Sequence, residues 1–231
     1  MNDQPTHIVN REALRDGSLL AAARLRAPPG TVFRTDAEMQ ADFDAILASH
    51  DPAADIWLFG YGSLMWNPAL HFAERIPGKA QGWHRRFCLW LRMGRGTPEN
   101  PGLMLALDRG GSCHGALFRI PAHQARDELF LAWRREMFSG AYLSRWIVVD
   151  TERGPVRAVT FVANRRYPNY AGRLPESAIA ERLATAKGTL GSCAEYLENT
   201  AESLRRLGRR DRSLERLQAL VKTAISPHRK G

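Results

Sequence analysis

Ile56-Trp57-Leu58-Phe59-Gly60-Tyr61-Gly62-Ser63-Leu64-Met65-Trp66-Asn67-Pro68 begins as a short buried strand and breaks at Gly60 into a glycine-containing loop. Gly-x-Gly after a strand invites a dinucleotide site, but that fingerprint puts its third glycine where Met65 stands. It also wants an acidic residue about twenty positions on, at the end of a second parallel strand, and this chain does not supply one. What survives is a loop whose backbone N–H groups can converge on a carboxylate or a developing oxyanion. A plain tight turn explains the same residues, and spacing alone leaves both readings open.

Working outward, the chain from this strand to Asn164 reads mostly as β. Trp83 to Leu91, Leu103 to Leu107, Cys113 to Ile120, Tyr142 to Asp150 and Val156 to Ala163 are expected strands. Asp108-Arg109-Gly110-Gly111 and Glu152-Arg153-Gly154-Pro155 are hairpin signals. One helix interrupts, about His123 to Met137. Asp36 to Ser49 is expected as a helix capped by Thr35 or Asp36. Three more follow Pro175: Glu176 to Ala186, Ser192 to Leu207 with a capping box to Glu195, and Asp211 to Thr223. Strands and helices do not alternate regularly, so a doubly wound sheet is set aside. The expected architecture is α+β, a small mixed β-barrel surrounded by helices with a helical C-terminal tail. Residues 1–50 read as an N-terminal extension with one helix, and 55–225 as the barrel domain including the C-terminal helices.

Composition narrows the class. The 231 residues are 44% hydrophobic and 25% charged, as in an ordinary globular protein. No apolar run is long enough for a membrane-spanning helix, and residues 1–17 lack the apolar region of a secretory signal. Cys88, Cys113 and Cys193 are few, odd in number and far apart, which points to a reduced, cytoplasmic protein. The net charge of +9 suggests nucleic acid until it is located: residues 201–231 alone carry +6, and Leu204, Leu207, Leu214, Leu217 and Leu220 give them an apolar stripe. A helical tail docked on the barrel with a solvated basic face accounts for this more simply than nucleic-acid binding.

Among residues that could do chemistry, Glu136 lies near the end of an amphipathic helix, flanked by Trp133 and Met137. A carboxylate withdrawn from water has a raised pKa and can act as a general base. From the sequence alone, a surface glutamate paired with Arg134 or Arg135 is the simpler reading of the same residue. Gly111-Ser112-Cys113-His114-Gly115 matches a nucleophile elbow formally, but a turn precedes it and a strand follows, the reverse of what the elbow needs. Cys113 is therefore read as structural. The loop Arg165-Arg166-Tyr167-Pro168-Asn169-Tyr170-Ala171-Gly172 either rims a pocket or merely connects. No His or Cys pair has metal-ligand spacing.

Phe59 to Pro68, Gly82 to Cys88, Gly94-Arg95-Gly96-Thr97 with Pro101-Gly102, Gly110-Gly111 with Gly115, Trp133-x-Arg135-Glu136-Met137 with Gly140 and Tyr142, and Pro168-x-Tyr170 occur in that order. Together they resemble the bacterial ChaC family over about residues 55–210. Ala141 stands where many relatives have a second glycine. The resemblance implies a β-barrel γ-glutamylcyclotransferase acting on glutathione, without metal or cofactor. It implies Glu136 as the catalytic carboxylate and Gly60, Tyr61, Gly62, Ser63, Leu64 and Met65 as the loop holding the γ-glutamyl group. Tyr142 and Tyr170 are expected near the pocket. Other γ-glutamyl peptides or amines as substrates, or a non-enzymatic binding role, stay open at this point.

Overall fold

The computed structural model describes residues 9–226. Five strands form a closed barrel: β1 (Ile56–Gly60), β2 (Glu74–Leu91), β3 (Gly102–Ile120), β4 (Tyr142–Thr151) and β5 (Gly154–Ala163), in the order β1-β3-β2-β4-β5. The ladder is antiparallel until β1 meets β5 in parallel at Leu58 and Val159, which closes the ring. A cluster drawn from every strand, including Phe59, Ala80, Leu107, Leu117, Val149 and Val162, forms one buried core. A larger one joins the opposite strand faces to the helices.

Two departures from the sequence reading come from the same place. The strands expected at Leu103–Leu107 and Cys113–Ile120 are one continuous β3, and β2 begins at Glu74 rather than Trp83. Asp108-Arg109-Gly110-Gly111 is not a hairpin. Gly110 and Gly111, at φ +99° and +69°, stay within β3 where the β2–β3 register shifts beside Gly82. The positive φ that signals a turn here bends a long strand around the barrel. The early part of β2 is hidden in the sequence by Pro77, which is tolerated because β4 pairs with β2 only at Lys79 and Ala80. By contrast, Glu152-Arg153 is the expected hairpin turn between β4 and β5.

The N-terminal extension holds more helix than expected. Before α3 (Asp36–Leu47) come α1 (Arg11–Arg15) and α2 (Ser18–Arg26), which show little amphipathic signal because each buries a single leucine, Leu14 and Leu20. Thr35 caps α3 in a full capping box with Glu38. The extension packs on α4 (Ala125–Glu136). Arg134 donates to the carbonyls of Leu14 (2.9 Å) and Arg15 (2.6 Å), and the buried Glu128 accepts from Arg11 and from the His71 N–H (2.8 Å). Trp133 of α4 meets Phe43 of α3 and Phe161 of β5 edge-on, at 5.1 Å each.

The C-terminal part folds as α5 (Glu176–Thr185), α6 (Cys193–Arg206) and α7 (Arg212–Ile225), with a two-stranded ribbon, β6 (Lys187–Gly188) and β7 (Gly191–Ser192), before α6. Leu204, Leu214 and Leu217 are buried as the stripe requires, while Leu220 is exposed, because the buried face of α7 runs on through Gln218 and Val221 instead. Much of the basic charge is paired: Arg205 and Arg206 with Glu202, Arg209 with Glu152, Arg210 with Glu215, Arg216 with Glu176.

Asp211 ties this tail to the barrel. One carboxylate oxygen caps α7, accepting from Ser213 (3.0 Å) and Leu214 (3.2 Å), and the other pairs with Arg85. Arg85, whose side chain is 2% exposed, donates onward to the Tyr61 carbonyl at 2.7 Å. Asp211→Ala should therefore lose about 1 kcal/mol for the cap and about 3 kcal/mol for the unpaired buried guanidinium. Asp211→Ser should recover only the first part, as read by urea unfolding.

Candidate active site

The loop after β1 enters a single 3-10 turn, Ser63–Met65. The N–H groups of Gly62, Ser63 and Leu64, at the head of that turn, find no backbone carbonyl among the described residues. The reading of a donor-rich loop thus outlasts that of a plain turn. Side chains brace the loop from outside. Arg135 donates to Ser63 Oγ (2.7 Å) and to the Asn67 carbonyl, and Arg75 to the Met65 carbonyl (2.8 Å). Gly62 has no alternative, because a Cβ there would stand 2.6 Å from the Tyr196 hydroxyl.

Glu136 closes α4 beside this loop. Its Oε1 lies 3.1 Å from Arg135 Nε, so the expected ion pair exists, but not on the surface: the side chains are 14% (Glu136) and 9% (Arg135) exposed. Arg134 turns the other way, to α1. Burial pushes the Glu136 carboxyl above the usual glutamate range, and Arg135 pulls against it without cancelling the effect. A cavity of about 770 Å³ lies elsewhere, between β2 and the starts of α5 and α7, lined by Arg85, Arg86 and Leu214, and does not include Glu136. The chemistry points to Glu136 all the same, because a base needs a desolvated carboxylate next to preset donors, which that open cleft lacks.

Three buried phenols share the charge of Glu136. Burial, then Glu136 among other neighbours, holds Tyr61 and Tyr142 well above the usual tyrosine range; the same two causes push Tyr196 to about 12. All three are neutral hydrogen-bond donors at physiological pH. Tyr61 donates to the Phe161 carbonyl and Tyr142 to the Leu105 carbonyl, both at 2.8 Å. The Tyr196 O–H donates to no protein group among the described residues. Ala141 sits before Tyr142 without a left-handed backbone, so the residue at this position need not be glycine.

Tyr170 goes elsewhere. Its hydroxyl donates to Asp108 (2.8 Å), a carboxylate 1% exposed that also accepts from Arg86 and Arg165. Burial works to raise the Asp108 pKa, but Tyr170 and Arg165 outweigh it and hold the group below its usual range. The 165–170 loop is thereby stitched to β3, with Tyr170 bridging to Leu89. The structure joins Gly60–Met65, Tyr142 and Glu136, and sets Tyr170 in this second cluster.

Tyr196 and Arg95 were not anticipated. Tyr196 is the one Phe, Tyr or Trp after Pro175, a signal that stands out only once α6 is known to reach the loop. Asp108 was concealed by its resemblance to a turn. Cys113 is buried inside β3, as its context required. Among the described residues no three His, Cys, Asp or Glu side chains gather as a metal site, and no helix is long and apolar enough to cross a membrane.

The ChaC-like protein family matches residues 56–224, which include the whole barrel and every residue of this site. The chain belongs to the ChaC-like family. It is 43% identical over 187 residues to the glutathione-specific γ-glutamylcyclotransferase of Escherichia coli K12, covering 80% of this chain and 81% of that one. The human glutathione-specific γ-glutamylcyclotransferase 1 is 31% identical over 176 residues, covering 74% and 78%. The crystal structure of a yeast γ-glutamylcyclotransferase specific to glutathione superposes with a TM-score of 0.70 over 76% of this chain and 99% of that one, at 21% identity. At that identity the likeness is one of fold, the barrel with its flanking helices.

With all three cysteines buried, the chain should keep its thiols inert. Burial raises Cys88 to about 12 and Cys113 to about 11, and raises Cys193. A thiol-labelling assay at pH 8 should modify none of the three in the native protein within an hour and all three in denaturant.

Proposed function

We propose that this protein cleaves glutathione by cyclising its γ-glutamyl group, releasing 5-oxoproline and cysteinylglycine. The observation that carries the reading is the Glu136 carboxyl, raised by burial, next to the loop N–H groups of Gly62, Ser63 and Leu64, none of which meets a backbone carbonyl among the described residues. Similarity to curated glutathione-specific γ-glutamylcyclotransferases supplies the substrate.

The γ-glutamyl group carries its own nucleophile. Its α-amine nitrogen attacks its own γ-carbonyl carbon, forming the C–N bond of a five-membered lactam while the amide C–N bond to cysteine breaks. Holding the substrate folded gains the advantage of an intramolecular reaction, about 7–11 kcal/mol in well-oriented cases. The amine is mostly an ammonium at neutral pH, so Glu136 accepts one proton to free it for attack; as the lactam forms the nitrogen gives up a second, and the two pass to the departing cysteine nitrogen, which leaves as an ammonium. No water is consumed. The loop N–H groups and the Tyr196 O–H face the charge that develops on the γ-oxygen, and Arg135 aligns base and loop by holding both. Tyr142 shapes the wall. We further infer that the protein works in the cytoplasm, where glutathione and its three free cysteines are kept reduced. A non-enzymatic binding role would suit an exposed, surface-paired Glu136, which is not the environment this residue has.

Glu136→Gln tests the reading. Turnover of glutathione to 5-oxoproline should fall by about 10²–10⁴-fold, the usual share of proton transfer. The fold should not suffer. A carboxyl raised in the native state binds more protons folded than unfolded between its usual value near 4.5 and its raised value, so its ionisation costs stability as pH increases through that window. Glu136→Gln should therefore melt no lower than wild type at pH 7.5, and its advantage should shrink as the pH falls toward 4.5. A folded variant keeping more than about a tenth of wild-type activity contradicts the general-base role.

A further inference from the structure

Gly94-Arg95-Gly96-Thr97 has no part in the chemistry above, yet Arg95 is almost buried, 8% exposed, close to the candidate site. Its guanidinium packs over the rings of Trp66 (5.7 Å) and Tyr196 (5.4 Å). One nitrogen, Nη1, donates to the Ser192 carbonyl at 2.8 Å and lies 3.6 Å from the half-exposed Glu195 carboxylate. The other guanidinium nitrogens donate to nothing among the described residues. Beside it, the Trp66 Nε1–H is buried with no acceptor. A buried indole N–H left unpaired is costly, and the Arg95 nitrogens beside it, which are not fully buried, keep donors to offer. An arrangement of this kind is ready for an anion with two oxygens, which a guanidinium and an indole N–H can bind together.

Resting on the cyclotransferase reading, we propose that Arg95 and Trp66 recognise the carboxylate at the glycine end of glutathione and so select for the cysteinylglycine leaving group. Glutathione has two carboxylates, and position decides between them. The γ-glutamyl α-carboxylate sits on the same carbon as the attacking amine, so it must lie where Glu136, Arg135 and the loop N–H groups meet. Arg95 instead packs over the Tyr196 ring, whose hydroxyl end faces Gly62. Cysteinylglycine spans about 7 Å when extended, enough to carry its terminal carboxylate past that ring. Arg95 and Trp66 would then set the affinity for the leaving half and take no part in proton transfer.

The test compares glutathione with its glycine ethyl ester, in which only that carboxylate is masked, by 5-oxoproline release. Wild type should show a KM for the ester at least ~10-fold above that for glutathione, since a charge-assisted contact of this strength is lost. Arg95→Gln, and Trp66→Phe as the variant that keeps an aromatic ring, should each raise the glutathione KM by about tenfold while leaving kcat within about threefold. Neither should change the KM of the ester, so the preference disappears. Equal losses on both substrates would place Arg95 at the γ-glutamyl end or in a purely structural role and overturn the proposal. So would variants whose preference matches wild type. If Arg95→Gln does not fold, Trp66→Phe decides alone. A wild-type protein that releases 5-oxoproline from neither substrate defeats the underlying reading, and this proposal falls with it. One that turns over both equally well defeats the proposal only.

Discussion

The Arg135 guanidinium holds three groups at once: Ser63 Oγ, the Asn67 carbonyl and the Glu136 carboxylate. A cation this far from water needs its donors matched, and it finds its partners on two elements remote in sequence, the loop after β1 and the end of α4. The pairing sets the distance between Glu136 and the donor loop. It also sets the state of the carboxyl. A carboxylate beside one arginine in water would be held acidic; with its solvent removed, burial outweighs the arginine and the carboxyl is raised.

The rest of the molecule keeps that pair in place. α4 is fixed along its length by the N-terminal helices, through Arg134, Glu128 and the Trp133 ring against Phe43. Asp42 of α3 accepts from Trp133 Nε1 and from Ser144 of β4, joining extension, α4 and barrel. On the other side, Asp211, Arg85 and the Tyr61 carbonyl form a chain from the last helix to the loop. The two terminal regions, which look like appendages along the chain, thus serve as the two walls that position the site.

The basic tail shows how a bulk property divides into particular contacts. A net charge of +9 is a property of the whole chain, whereas ion pairs across elements belong to particular contacts. Arg209 meets Glu152 in the β4–β5 turn, and Arg216 meets Glu176 at the start of α5. Such exposed pairs contribute little stability each; they tie the tail's arginines to acids of neighbouring elements and leave the net charge of the chain as it is.

Local pattern was enough for the elements whose signals are local. The capped helices at Thr35, Ser192 and Asp211, the strand leading to Gly60 and the turn at Glu152-Arg153 follow from hydrogen bonds within a few residues, so short-range rules recover them. Resemblance picked out Glu136 and the Gly60–Met65 loop because side-chain identity at those positions is itself the signal. What needed the tertiary structure was everything set by neighbours distant in sequence. Gly110 and Gly111 look like a turn, and only the β2 strand opposite makes them a bend in one long strand. Glu136 next to two arginines looks like a surface pair, and only the packing of α4 removes its water. The Tyr170 hydroxyl donates to Asp108, 62 residues away, a pairing that no local pattern announces. Tyr196 and Arg95 reach the loop only because α6 and the 94–97 turn fold over it. Burial and long-range pairing are properties of the closed barrel and its two walls, and no window of the sequence contains them.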